Sequence, residues 1–225
     1  MASVPPHQED DPIRTRRSSD EIRQCGCPIG ELGIKVAHDM NLHHAELWQW
    51  GLEHVELPTS ETTAILDIGC GSGMLVKMIS EQTQAARLCG LDHSSDMVML
   101  SRKTCAELCN EGRAEFFTGS VSELPFADET FDLVTAFETI YFWPSIESDL
   151  REVWRVLQPG GTFLAVTESY DHPAFAERNQ YCMDLAGGQT FTPKGITTLL
   201  ETAGFKNINV DTIEEKNWMA VVAKK

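Results

Sequence analysis

The stretch ILDIGCGSG, Ile65 to Gly73, sets glycines at every second position after an apolar run that carries Asp67 near its end. A glycine loop that opens a helix offers backbone N–H groups and the positive end of a helix dipole, and such a site usually receives phosphate. A carboxylate at its mouth repels phosphate. The combination suits a zwitterionic amino acid instead, whose carboxylate meets the N–H groups while its ammonium is drawn to Asp67. The phosphate alternatives also fail on spacing. No Gly-Lys-Ser/Thr follows, as a Walker loop requires, and the third glycine comes one residue early for G-x-G-x-x-G.

The elements that must position this loop follow from periodicity. From Thr63 onward strand and helix signals alternate: AILDI, then SGMLVKMISEQ; RLCGLDH, then SSDMVMLSRKTCAELCNEG with Ser94 or Ser95 as N-cap. AEFFTG and FDLVTAF are two more strands. IESDLREVWRVLQPGG reads as a helix closed by Pro-Gly-Gly, TFLAVTES as a fifth strand, and Thr192-Pro193 as the start of a further helix. The last strands, NINVDTI and WMAVVAKK, are separated by EEKN, too short for a crossover, so they pair antiparallel. The expected fold is α/β: a Rossmann-like doubly wound sheet of seven strands, mostly parallel, with an antiparallel C-terminal hairpin. Before it, Ile34 to Leu52 carries a helical pattern in which Asn41, His44 and Trp48 share one face, while His38 and His43 point elsewhere, toward solvent. The expected organisation is a disordered lead-in over 1–20, an N-terminal helical lid over 21–58, and one domain over 59–225.

ILDIGCGSG resembles the first motif of class I S-adenosylmethionine-dependent methyltransferases, and the resemblance extends over Thr63 to Lys225. GSVSELPF, Gly119 to Phe126, is similar to the family's GDAxxLPF, with Ser120 in place of the usual aspartate. EVWRVLQPGGTFL is very like its E-x-x-RVL-x-PGG signature, and the terminal hairpin is a family feature that dinucleotide dehydrogenases lack. The resemblance implies S-adenosylmethionine as cofactor, held by Asp67, Gly69, Cys70, Gly71 and Gly73 at the loop. It also implies Asp92 on the ribose hydroxyls with His93 beside it, Ser120 and Val121 at the adenine, and Phe137 at the end of the fourth strand. Some family members carry a segment like MN-x-x-H-x-x-L-x-x-WGL packed over the cofactor as a lid.

For the transfer itself, His44 is the foremost general-base candidate, with Glu138 and Tyr141 as further catalytic candidates. Glu138 could bind a cationic acceptor, contact the cofactor's ammonium, or cap a helix. Asn41, Trp48, Phe142, Trp143, Tyr170 and His172 are candidates for the acceptor pocket, the last two from a long segment after the fifth strand. Methyl transfer from a sulfonium needs alignment and exclusion of water more than any one residue.

Composition narrows the partners. The formal net charge of -16 argues against a nucleic-acid backbone as partner. No run of about 18 apolar residues suggests a membrane span. The seven cysteines are odd in number and scattered, and no secretory signal precedes them, so a cytoplasmic setting with free thiols is expected. Cys25 and Cys27 form a CGC pair without a second pair at zinc-finger spacing, so no metal is expected. The expected activity is methyl transfer to a small molecule. Methylation of a protein or tRNA, and a non-catalytic cofactor-binding partner protein, are the alternatives; the sequence leaves room for a homodimer.

Overall fold

The computed structural model of the chain describes residues 17–85 and 87–225. Strands β1 (Ala64–Ile68), β2 (Arg87–Asp92), β3 (Ala114–Thr118), β4 (Phe131–Phe137), β5 (Leu157–Thr167), β6 (Lys206–Ile213) and β7 (Trp218–Lys224) form one sheet in the order β3-β2-β1-β4-β5-β7-β6. The first five are parallel, and β7 runs antiparallel between β5 and β6. The hairpin turn is a 3-10 segment, Glu214–Lys216, closed by Asn217 in the left-handed region at φ 57°. The chain's order along the sheet reverses beside β1, where β2 lies on one side and β4 on the other. A crevice opens there beyond the carboxyl ends of the strands.

The helices are α1 (Ser19–Gly26), α2 (Gly30–Leu52), α3 (Met74–Ser80), α4 (Ser95–Thr104), α5 (Ala106–Asn110), α6 (Ile146–Val156), α7 (Ala176–Ala186) and α8 (Pro193–Ala203). Period-two alternation sends neighbouring strand residues to opposite faces. Leu66, Val134 and Phe163 pack with Leu150 and Val153 of α6 and Leu200 of α8. Ile65, Leu133 and Leu164 pack on the other face with Leu47 of α2, Leu75 of α3 and Val98 of α4. Each strand of the centre is therefore apolar on both sides, as a covered parallel sheet demands.

Several boundaries differ from the sequence reading. Residues 1–16 of the expected lead-in lie outside the described residues, but α1 begins at Ser19, inside it. Ser18 and Glu21 form a reciprocal capping box that the Ser- and charge-rich composition concealed. The helix expected from Ile34 starts at Gly30. The single helix expected over SSDMVMLSRKTCAELCNEG breaks at Cys105, whose buried thiol donates to the Gly73 carbonyl. Pro-Gly-Gly does not close α6, which ends at Val156. β5 starts at Leu157, paired with Phe131, and a bulge precedes its regular register with β4.

The C-terminal half of α2 is seated on the sheet by the absence of a side chain. A Cβ on Gly51 would stand 2.6 Å from the Phe137 ring and 2.7 Å from a Val166 methyl. Gly51→Ala gains about 1 kcal/mol of helix propensity, yet overpacking a filled core costs about 1–3 kcal/mol. The expected net result is a loss of stability, read as a lower urea midpoint with an unchanged slope; a raised midpoint would show that the contact yields.

Candidate active site

The cavity lies at the crevice and is covered by α1 and α2. Its lining includes Asp67, Gly69, Cys70, Gly71, Asp92, His93, Ser120, Val121 and Phe137, together with Asn41, His44, Trp48, Glu138, Phe142 and Trp143. Thus most residues singled out from sequence meet in one place, although they come from opposite ends of the domain.

At one end the glycine loop is held open. Gly69, Gly71 and Gly73 have φ of 77°, 51° and 78°, conformations that glycine adopts without penalty. A Cβ at Gly69 would fall 2.2 Å from Thr139, whereas one at Gly71 would meet nothing closer than 4.0 Å. Gly71 N–H donates to Asp92 Oδ2 (2.9 Å) and Ser94 N–H to Asp92 Oδ1 (2.8 Å), so Asp92 is fixed by two backbone donors at the end of β2. Burial nonetheless raises its pKa. Asp67 accepts from the Thr135 hydroxyl at 2.8 Å, and burial, with Asp92 as a like charge, pushes its pKa up to about 7. No cationic side chain pairs with it among the described residues. A buried carboxylate with one neutral donor is a poorly compensated charge. It matches a ligand that brings its own ammonium.

The other end is built from the ends of β4 and β5 and from α2. Glu138, directly after β4, has φ 61°, in the left-handed region where a side chain costs about 1–3 kcal/mol. It is held there from several sides. Its N–H donates to the Val166 carbonyl (2.9 Å), its Oε1 accepts from Glu168 N–H (2.6 Å), and its Oε2 accepts from Tyr141 Oη (2.6 Å). Glu168, directly after β5, binds His44 Nε2 through Oε1 (3.2 Å) and His43 Nε2 through Oε2 (2.9 Å). His44 Nε2 also lies 3.5 Å from Glu138 Oε2.

Charges at this end are strongly linked. Burial disfavours the His44 imidazolium, but the Glu168 and Glu138 carboxylates outweigh it and raise the pKa. The two imidazoles lower Glu168 despite its burial. Glu138 is pushed up to about 7 by burial and by Glu168, against the opposing pull of His44. At this end of the cavity the lining group able to exchange a proton near neutrality is therefore Glu138, while the two carboxylates favour the charged form of His44.

Some expectations are revised. Tyr141 is buried and does not line the cavity; it touches the site through Glu138 and through the Phe142 ring, 4.6 Å away. Gly73 also stands off the cavity, as the N-cap of α3. Tyr170 and His172 do not reach it either. After β5 the chain turns back over the sheet, so the Tyr170 hydroxyl meets Thr212 of β6, and His172 Nδ1 accepts from Ala174 N–H to start a turn. His43, expected in solvent, is tied to Glu168, with 29% of its side chain exposed. His38 is exposed as expected. Cys70 has its pKa raised well above the thiol range by burial and nearby acids, in keeping with a packing role. Cys25 lines the cavity and Cys27 is exposed.

Glu168 is the principal site residue that sequence reasoning missed. Its signal was available, since it follows β5 as Glu138 follows β4, at the edge where ligands bind. The covering helix α2 is tied to the loop by Ser72 Oγ, which donates to Asn41 Oδ1 (2.8 Å), and to α4 by Gly30 N–H on Asp96 Oδ2 (2.7 Å). Trp48 Nε1 is buried without a hydrogen-bond partner among the described residues. No helix among the described residues is long and apolar enough to cross a membrane.

Residues 65–161 match a family model described as a methyltransferase domain. The chain is 29% identical over 157 residues to a fatty-acid O-methyltransferase of Mycolicibacterium smegmatis, covering 70% of this chain and 53% of that protein. It is 31% identical to a phthiotriol/phenolphthiotriol dimycocerosates methyltransferase of Mycobacterium ulcerans, covering 71% and 55%. The chain thus spans about half the length of these curated relatives. The fold is also that of a SAM-dependent methyltransferase from Aquifex aeolicus, with a TM-score of 0.67 and 16% identity over 93% of this chain and 99% of that one. With the sheet order, the glycine loop and the strand-end acids in place, residues 65–161 carry a methyltransferase domain of the class I S-adenosylmethionine-dependent kind.

Proposed function

We propose that this chain is an enzyme that methylates a small-molecule acceptor inside the covered cavity, in a cytoplasmic setting. The observation that carries the reading is one cavity, covered by α1 and α2, whose two ends differ in chemistry. Paired carboxylates and a glycine loop lie at one end, and a strained, titratable Glu138 beside His44 lies at the other.

Asp67 would hold the ammonium and the loop the amino-acid end of the donor, Asp92 the ribose hydroxyls, and Ser120 and Val121 the adenine. S-adenosylmethionine, when bound, supplies an electrophilic methyl group on a sulfonium with a neutral leaving group. The chain's own task is to place the acceptor and keep water out. Trp48, Phe137, Phe142 and Trp143 offer apolar walls to the acceptor, and the unpaired Trp48 Nε1 offers it a donor. Glu138 takes the proton of a protic acceptor; Tyr141 positions Glu138, and the His44–Glu168 pair keeps a cation beside it. Cover by α1 and α2 favours a small acceptor over a protein or tRNA, which needs an open groove. The names of the relatives fit an acceptor with an apolar body.

Labelled cofactor incubated with small-molecule and macromolecular cell fractions tests the acceptor class. Label is expected in the small-molecule fraction; label confined to protein or RNA overturns that choice, and no transfer despite tight cofactor binding favours a non-catalytic role. Asp92→Ala is expected to weaken S-adenosylhomocysteine binding by about 10–100-fold in calorimetry, the equivalent of about 1.5–3 kcal/mol for charged hydrogen bonds. Unchanged affinity removes the ribose assignment.

Asp67 yields a second, ligand-free test. An unfolded aspartate ionises near pH 4, whereas the folded one does so at about 7. The folded state holds the extra proton across that window, so stability falls as pH climbs through it and does not recover above. Asp67→Asn removes the buried charge and leaves an oxygen for Thr135. It is expected to be more stable than the parent by about 1–3 kcal/mol at neutral pH, with the gap growing from pH 4 to 8 in urea titrations, and to bind the cofactor more weakly. A gap that stays flat with pH would remove the buried-charge account.

A further inference from the structure

His43, His44 and Glu168 present one ligand atom each from two elements, α2 and the end of β5, and these atoms all lie within 4.8 Å of one another. We propose that they form a binding site for a divalent first-row cation, zinc foremost, at the acceptor end of the cavity. The residue types fit: imidazole nitrogens with a carboxylate suit zinc and its neighbours, whereas magnesium and calcium favour all-oxygen sets. The spacing fits as well. Zinc holds histidine nitrogen and carboxylate oxygen at about 2.0–2.2 Å, so donors on a tetrahedral ion stand about 3.3 Å apart. The nitrogen–oxygen separations here are 2.9 Å for His43 and 3.2 Å for His44.

Adjacent residues on a helix diverge by about 100°, so two neighbouring imidazoles seldom meet at one point. Here both turn their Nε2 atoms onto the two oxygens of one carboxylate. Glu138 borders the corner and steadies Glu168, since its Oε1 accepts the Glu168 N–H, and its Oε2 lies 3.5 Å from the same His44 Nε2. Two largely buried carboxylates share this corner, and the cationic groups that pair with them among the described residues are the His43 and His44 imidazoles, with the Arg17 guanidinium near enough to act on His44. A dication compensates them more fully than imidazolium does. Exposure also grades suitably: His44 is sealed at 2%, Glu168 is at 12%, and His43, at 29%, gives the ion a way in from solvent. Because His44 lines the cavity, an ion on its Nε2 stands where an acceptor hydroxyl or thiol could reach it. A protein with three ligands and an open position is the usual form of a catalytic zinc site.

Cobalt(II) and zinc titrations of the full chain, followed by visible absorption and calorimetry, test the site without any acceptor. The expected result is one ion per chain, with the weak d–d bands of nitrogen and oxygen ligation. His43→Ala, at a half-exposed position, is expected to weaken binding by more than the about 10–100-fold that loss of an outer partner costs. Glu168→Gln should do the same, with circular dichroism confirming that it folds. His38→Ala and Cys25→Ser/Cys27→Ser are expected to bind as the parent does. Binding that vanishes in the cysteine variant, survives His43→Ala, or never occurs overturns the proposal and leaves a hydrogen-bonded His–Glu–His group. S-adenosylhomocysteine binding, measured in parallel, reports on the methyl-transfer reading separately.

Discussion

Four neighbouring parallel strands, β2, β1, β4 and β5, each end in an acid: Asp92, Asp67, Glu138 and Glu168. A parallel sheet gathers its carboxyl ends on one edge, so the topology brings these carboxylates together whatever the side chains prefer. Removing each from water costs several kcal/mol unless it is paired or hydrogen-bonded. The surroundings can be understood as answers to that cost. Asp92 receives two backbone N–H groups, Asp67 one hydroxyl, Glu138 a phenol and a backbone N–H, and Glu168 two imidazoles. The answers are unequal. Glu168 is well compensated, while Asp67 and Glu138 remain near neutrality in pKa. Incomplete compensation leaves an edge that attracts cationic groups, as a sulfonium-bearing amino acid would require.

Much of this edge was legible in the sequence because local rules fix it. Asp67 and the glycines sit at a strand-to-helix turn whose backbone angles only glycine tolerates well, and Asp92 ends an apolar run. The EEKN turn was too short for anything but a hairpin, and β6 and β7 pair antiparallel as that length demanded. The less visible features are those in which side chains from distant segments converge. His43 was assigned to solvent by helical spacing alone, but Glu168, 125 residues away, lies within reach of both faces of α2 at that level. Tyr170 and His172 had suitable chemistry and proximity in sequence, yet the chain leaves β5 in a direction that periodicity cannot encode. The cap at Ser18 was legible as a motif, and its neighbours' composition hid it.

Helix α2 joins this acidic edge to the core, and its two halves do different things. Leu47 and Leu52 are almost wholly buried against the sheet, and Gly51 rests on Phe137 and Val166. Detaching this half exposes two leucines, at about 1.5–3 kcal/mol each. The N-terminal half and the link from α1 combine buried apolar side chains, Val36 and Ile22, with polar contacts: Asn41 with Ser72, Gly30 with Asp96, and the Pro28 carbonyl with Ser94. Net contributions of such hydrogen bonds are about 0.5–1.5 kcal/mol each, rising when a charged group takes part. Both halves of one helix are therefore anchored, but by different means: the C-terminal half by packing on the sheet, the N-terminal half by Val36 together with polar ties to the glycine loop and α4. His44 and Trp48 lie in the half that rests on the sheet, so the Glu138 end of the cavity takes its shape from the core itself, while the cover over the glycine loop depends in addition on hydrogen bonds that a ligand or water can exchange.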